Sequence, residues 1–350
     1  MKSLVSQTCK QSNRSVSPDA NHTFTVEPMH AGMRLDVFIS AHLAPEYSRS
    51  QVARMIKAGL VTVNGASARA ASAVRAGDVI AVAPPLTPEP HQSTGDAPAI
   101  EVIFADAEII VVNKPAGMTV HPAPGHPDAT LVDALLARFP ELAAMAEPDG
   151  VLRPGIVHRL DKETSGVMIV ARTPFARTAL SREFKDRTVR KLYLAIVRGV
   201  VAKDRQTIAR AIGRHPVERK RMSVASNNPR AATSHVSVLA RFRPPSRDEL
   251  GATLVLIRPE TGRTHQIRVH LASIGHSCLG DKLYGGAAKH ADAVSFERHA
   301  LHALALRIAH PRSRAELEFI APPPDDFAGY LAAHGISSDS PTLRRWIQNE

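Results

Sequence analysis

The sequence predicts an α+β protein, with a main domain on a mixed, largely antiparallel sheet and a small α+β module ahead of it. Three observations lead there. After residue 100, short apolar runs of strand length dominate, and helical patterns fall between them without the regular alternation of a doubly wound sheet. No glycine-rich phosphate loop or dinucleotide fingerprint accompanies them. Pro84 to Pro98 holds five prolines among Ser, Thr, Gly and charged residues, so 84–99 reads as a linker between two domains, which a chain of 350 residues has room for.

Residues 1–25 are rich in Ser, Asn and Gln without periodicity, a composition that predicts a disordered tail. The module, 30–83, follows. Arg34 to Ile39 starts one helix, and Ser48 caps a second containing Val52, Met55 and Ile56. Ala58-Gly59 ends it, Val61 to Val63 reads as a strand into the Asn64-Gly65 turn, and Val79 to Val82 as another strand.

In the main domain, 100–330, Ile100 to Val112 reads as two strands about an Asp-containing turn. Thr130 and Asp133 form a capping box for an amphipathic helix. Gly155 to Val157 and Val167 to Ala171 are strand-like runs flanking the polar loop His158-Arg159-Leu160-Asp161-Lys162-Glu163-Thr164-Ser165-Gly166. Thr173 and Pro174 open a helix reaching about Phe184. Lys191 to Val197 is a strand, 203–230 is basic and strand-poor, and Ala252 to Ile257 is a strand. Thr264 reads as the cap of a helix through Ile267, and Leu301 to Leu306 as a further strand. Residues 331–350 are expected to form a C-terminal tail.

The net charge of +11 is concentrated: residues 151–250 carry 22 basic and 8 acidic side chains, whereas 101–150 carry 2 and 8. Such a local excess suggests a polyanionic partner. The arginines are interleaved with strands rather than set along an amphipathic helix, which argues against a membrane surface. Cys9 and Cys278 fit no metal spacing and suit a reducing, cytoplasmic setting. His265 and His270 are five apart, on different helix faces, and read as structural histidines rather than metal ligands.

On spacing alone, Asp161 could equally be a turn former or a helix cap. The exact strings say more. HRLDKETSG resembles the signature of the RluA-type pseudouridine synthases, and so do NKPAGMTVHP from Asn113, KLYLAIV from Lys191 and ETGRTHQIRVH from Glu260. RHPVERKRM from Arg214 is similar to a segment of the RluD branch, which modifies large-subunit ribosomal RNA. RLDVF, SRSQVARMIKAGLVTVNG and AGDVI resemble an S4-type RNA-binding domain, with Arg49, Arg54 and Lys57 facing phosphate.

The resemblance implies a sheet with its active site in a cleft, and isomerisation of uridine to pseudouridine in 23S ribosomal RNA. Asp161 would be the nucleophile, Arg268 its ion-pair partner, and Tyr193 a residue that stacks on the uracil and helps remove the C5 proton. Arg159 would fill the space left by a flipped-out uridine. His158, Thr164, Lys114, Arg214, Arg221 and Arg263 would contact substrate or RNA. The reaction changes neither redox state nor composition, so no cofactor and no metal are expected. The expected partner is ribosomal RNA, free or in pre-ribosomal particles, met by a monomer. Two alternatives stay open: a synthase acting on another RNA such as tRNA, and an inactive RNA-binding or ribosome-assembly protein.

Overall fold

The computed structural model describes residues 22–44, 47, 49–83, 97–122, 128–145, 153–242, 251–285 and 296–348. The chain divides into two units, with a boundary at Pro88. The expected tail through residue 21, the Ser48 cap and nearly all of the linker lie outside the described residues.

The N-terminal unit runs β1 (His22–Thr25), α1 (Leu35–His42), α2 (Arg49–Lys57), β2 (Val61–Val63), β3 (Ala66–Ser67) and β4 (Val79–Val82). Its antiparallel sheet has the order β1-β4-β2-β3. The last residues of the expected tail are therefore an edge strand, with His22 opposite Val82. Leu35, Phe38 and Ile39 from α1 pack with Val52 and Met55 from α2 over Val61 and Ile80. Asp36 accepts from Arg34 and from Arg49 at 3.0 Å, tying the starts of both helices together. Hydrogen bonds from Arg34, set against a smaller effect of burial, lower its pKa to about 2.

The second unit holds β5 (Glu101–Ala105), β6 (Ile109–Lys114), α3 (Leu131–Arg138), β7 (Ser165–Ala171), α4 (Pro174–Asp186), β8 (Arg190–Arg198), β9 (Arg205–Ala209), β10 (Gly213–Arg214) and β11 (Met222–Ser223). It continues with β12 (Thr233–Phe242), β13 (Ala252–Pro259), α5 (Gln266–Ser273), β14 (Leu301–Ala309), β15 (Glu316–Ile320), α6 (Asp325–Ala333) and α7 (Ser340–Gln348). The main sheet has the order β5-β6-β7-β14-β8-β13-β12-β9, and β15 also pairs with β14. Every pairing in it is antiparallel except β7 with β14. Local caps behave as read: Asp106 accepts from the Glu108 and Ile109 N–H groups, Thr130 and Asp133 form a capping box, and Thr173 caps α4.

The parallel junction sets the site. It is two residues long, Ser165 and Gly166 opposite His302 and Ala303. Gly166 has φ 119°, and a Cβ there would overlap the Ala303 carbonyl oxygen, so only glycine lets the strands come this close. Ala303 also faces Tyr193 on β8, which faces Ile257 on β13. The end of the Asp161 loop, Tyr193 and the strand that leads to α5 thus lie side by side.

Four expectations are corrected. Gly155 to Val157 is not a strand: Ile156 makes one isolated bridge to Val170, and Gly155 turns with φ 70°. The basic stretch contains edge strand β9 and the β10–β11 ribbon. The cap of α5 is His265, in a left-handed conformation, not Thr264. Within the expected tail of 331–350, the described residues through 348 are packed, because Leu343, Trp346 and Ile347 of α7 are buried with Phe327 and Leu331 against Leu194 and Leu304. Among the described residues no helix is long and apolar enough to cross a membrane.

Candidate active site

The His158–Gly166 loop is held almost carbonyl by carbonyl. Asp161 O accepts from Thr164 N–H at 3.0 Å. Lys162 O accepts from Gly117 N–H at 3.0 Å and from Lys114 Nζ at 3.1 Å. Glu163 O accepts from Arg298 Nη1 at 3.1 Å. Thr164 Oγ1 pairs with His299 Nε2 at 2.8 Å, and Ser165 Oγ with His302 Nδ1 at 2.9 Å. Apart from the internal Asp161–Thr164 turn, these loop groups are satisfied by partners outside the loop.

Lys114 links this loop to the turn before it. Fully buried, it donates to the carbonyls of Pro115 (2.7 Å), Met118 (2.8 Å) and Lys162, joining the NKPAG turn to the loop. Burial lowers its pKa to about 7, against the opposing charges of Glu163 and Asp161. Three carbonyl acceptors match the three donors of an ammonium group.

The loop borders a cleft of about 480 Å³, lined by Arg159, Asp161, Lys191, Tyr193, His265 and Arg268 among others. That volume falls in the range of small-ligand sites, roughly 300–1,000 Å³. Asp161 and Arg268, 107 residues apart, meet there: Arg268 Nη1 donates to Asp161 Oδ2 at 3.0 Å. The remaining edge of the guanidinium is taken by Asp281, with Nε to Oδ2 at 2.7 Å and Nη2 to Oδ1 at 2.9 Å. Asp281 is fully shielded from solvent, whereas the Asp161 side chain keeps 22% of its exposure. Burial works against the charge on Arg268, but Asp281 and Asp161 outweigh it and raise its pKa further. Burial likewise works against the charge on Asp281, and Arg268 overcomes it, holding that carboxyl below its usual range.

Tyr193 is half-buried on β8, packed against both adjoining apolar clusters. Burial, then the Asp161 charge, push its phenol well up, so it is protonated at neutral pH. Lys191, two residues earlier, has its pKa lowered to about 8 by burial.

Three residues expected to contact RNA have internal partners, although His158 and Thr164 also line the cleft. His158 stacks on Phe184 with centroids 4.6 Å apart, and its Nε2 accepts the Ile169 N–H at 3.0 Å, replacing a strand partner that β7 lacks. Burial lowers its pKa to about 3, so it is neutral. Thr164 is buried on His299, and Lys114 is walled in by carbonyls. Arg159 and Arg263 line the cleft as well. Arg214 and Arg221 lie on the basic ribbon, where Arg214 Nη1 donates to Arg219 O at 2.8 Å and Arg221 pairs with Glu218 at 2.9 Å. Arg49, Arg54 and Lys57 belong to α2 of the other unit.

The structure adds residues that sequence reasoning missed. Asp281 and Tyr284 come from GDKLYG, whose only signal is a turn-like string resembling the family pattern. Tyr284 lies under the Arg268 guanidinium, 5.0 Å from ring centroid to Cζ. His265 was expected to be purely structural, yet its Nε2 is 3.9 Å from Asp161 Oδ2. His270 is structural, buried between Ser234 Oγ and Arg210 O, each at 2.9 Å.

A family model described as RNA pseudouridylate synthase matches residues 108–273, and one described as S4 domain matches 33–80. The chain is 42% identical to the ribosomal large subunit pseudouridine synthase D of Xylella fastidiosa, over 88% of this chain and 91% of that one. It is 40% identical to the Pseudomonas aeruginosa protein of the same name, over 86% and 92%. Human RNA pseudouridylate synthase domain containing 1 superimposes with a TM-score of 0.53 at 31% identity, covering 66% of this chain and 86% of that one. The chain belongs to the RNA pseudouridylate synthase family. Its activity is accordingly that of an isomerase that turns RNA uridine into pseudouridine.

The Lys114 contacts generate a prediction. Lys114→Met leaves the Pro115 and Met118 carbonyls without a donor and removes one of the two donors to Lys162 O, and should lower stability by at least about 2 kcal/mol. A urea midpoint equal to that of the parent would show that the loop does not depend on this lysine.

Proposed function

We propose that this protein converts uridines of large-subunit ribosomal RNA to pseudouridine, with Asp161 as nucleophile. The observation that carries the reading is the Asp161–Arg268 pair at the edge of a nucleotide-sized cleft, beside Tyr193. The isomerisation breaks the C1′–N1 bond, turns the uracil and forms C1′–C5. A proton leaves C5 and one is gained at N1, so nothing is consumed.

A carboxylate can act on the nucleoside only if it is accessible and oriented. Asp161 meets both needs: its side chain is partly open, and a fixed guanidinium holds one oxygen. Tyr193 offers a ring on which the detached base stacks. Its raised pKa favours a protonated hydroxyl that donates to the base over the phenolate that C5 proton removal would require.

A uridine in folded RNA must first leave its stack, at a cost of a few kcal/mol. In this reading Arg159, which is exposed at the cleft, occupies the vacated space. Arg187, Lys191 and Arg263 line the same cleft and supply charge for phosphates. The ribosomal target is supported by the names of the relatives and by the basic stretch that contains β9 to β11. In this reading the protein works as a cytoplasmic monomer, on ribosomal RNA or pre-ribosomal particles, with the 30–83 module gripping phosphate through Arg49, Arg54 and Lys57.

Asp161→Asn is nearly isosteric, so it should fold and bind RNA as the parent does while pseudouridine formation falls by more than about a thousandfold. Turnover within tenfold of the parent, read by carbodiimide-blocked primer extension, would sink the assignment. Removing residues 1–83 should weaken RNA binding and flatten its logarithmic salt dependence by about one unit per lost phosphate contact. A 100–350 fragment with unchanged affinity and slope would show that the module is no RNA grip.

A further inference from the structure

The two oxygens of Asp161 stand in different surroundings. Oδ2 faces Arg268 Nη1 at 3.0 Å and His265 Nε2 at 3.9 Å, whereas Oδ1 has no protein partner among the described residues. His265 itself is held unusually. It caps α5 with φ 54° and ψ 20°, a left-handed conformation that non-glycine residues seldom adopt and that concentrates at functional sites. Its Nδ1 meets the Tyr284 hydroxyl at 2.8 Å, and that hydroxyl accepts the Met222 N–H at 2.8 Å. With its oxygen accepting from Met222, the phenol can give its hydrogen to His265 Nδ1, the arrangement that puts the imidazole hydrogen on Nε2, the nitrogen facing Asp161.

Taking Asp161 as the reacting carboxylate, we propose that His265, locked by Tyr284, is a positioning residue that joins Arg268 in holding Oδ2, so that Oδ1 is the oxygen presented to the nucleoside. The 3.9 Å separation is too long for a hydrogen bond. Such contacts commonly tighten only when substrate closes the site. The groups around His265 suit a neutral donor. Burial lowers its pKa, Arg268 and Arg159 act in the same direction, and Asp161 and Asp281 oppose them. A neutral N–H steers the carboxylate without adding a second full positive charge, which would blunt it as a nucleophile. Tyr284 is itself fixed by the guanidiniums of Arg268 and Arg221 over its ring, at 5.0 Å and 5.5 Å. Because Arg221 and Met222 belong to the basic ribbon, the segment expected to meet RNA also sets the histidine.

The test is single-turnover pseudouridine formation at saturating enzyme on a ribosomal RNA fragment, with RNA Kd measured in parallel. His265→Ala should slow the reaction by about 10- to 100-fold while Kd stays within about twofold. His265→Gln, whose amide can reach Oδ2, should recover part of the rate. Tyr284→Phe keeps the ring but releases the tautomer, and should show a smaller loss of the same kind. A His265→Ala rate within about twofold of the parent, or a loss confined to Kd, overturns the proposal. If His265→Ala does not fold, parental rates in both His265→Gln and Tyr284→Phe overturn it instead. Failure of the underlying reading looks different, because Asp161→Asn would then itself keep turning over.

Discussion

Asp281 is the fixed point of the site. It is fully shielded from solvent and takes two nitrogens of Arg268, which leaves Nη1 as the part of the fork that reaches Asp161. A buried guanidinium is tolerated only when its donors are paired and its charge is matched, and Asp281 does both. Arg268 cannot swing out to follow a phosphate without stranding a buried carboxylate. Asp161 therefore meets a cation of fixed direction, a stronger constraint than charge alone.

The carboxylate needs an equally fixed backbone. Lys114, Arg298 and His299 hold the loop from three directions, and Gly166 joins it to β14 where a larger residue could not fit. The line Gly166, Ala303, Tyr193, Ile257 then carries that rigidity across four strands to the approach of α5. Loop, tyrosine and helix are registered through one sheet, as a site of sub-ångström tolerance requires.

The chemistry was more legible in the sequence than its supports. HRLD and THQIR could be paired because both strings resemble one family's motifs, and β8 was readable from a continuous apolar run. Asp281 was not, since which acid meets a buried arginine is decided by tertiary packing and Gly280-Asp281-Lys282 also reads as a plain turn. The approach of His265 to Asp161 was not readable, because five-residue spacing speaks only to regular helix and His265 caps the helix in a left-handed conformation. In β9 only Ile208 is buried, so charge masks the strand pattern. In α7 the signal was present: Leu343, Trp346 and Ile347 follow the i, i+3, i+4 spacing of a packed helix, within a stretch short enough to pass for a tail. Lys114, Thr164 and His158, motif residues expected at the RNA, also have internal partners that the motif alone did not show.

The central claim is that Arg268 serves Asp161 and not phosphate, and single-turnover kinetics at saturating enzyme tests it most directly. Arg268→Ala and Arg268→Lys should both lower the rate on bound RNA by at least about tenfold, because an ammonium supplies charge without a fork that spans Asp281 and Asp161. RNA affinity should change little in the lysine variant. If Arg268→Ala instead turns over bound RNA at the parental rate and loses only affinity, the arginine is a phosphate contact and the geometry derived for the site is wrong.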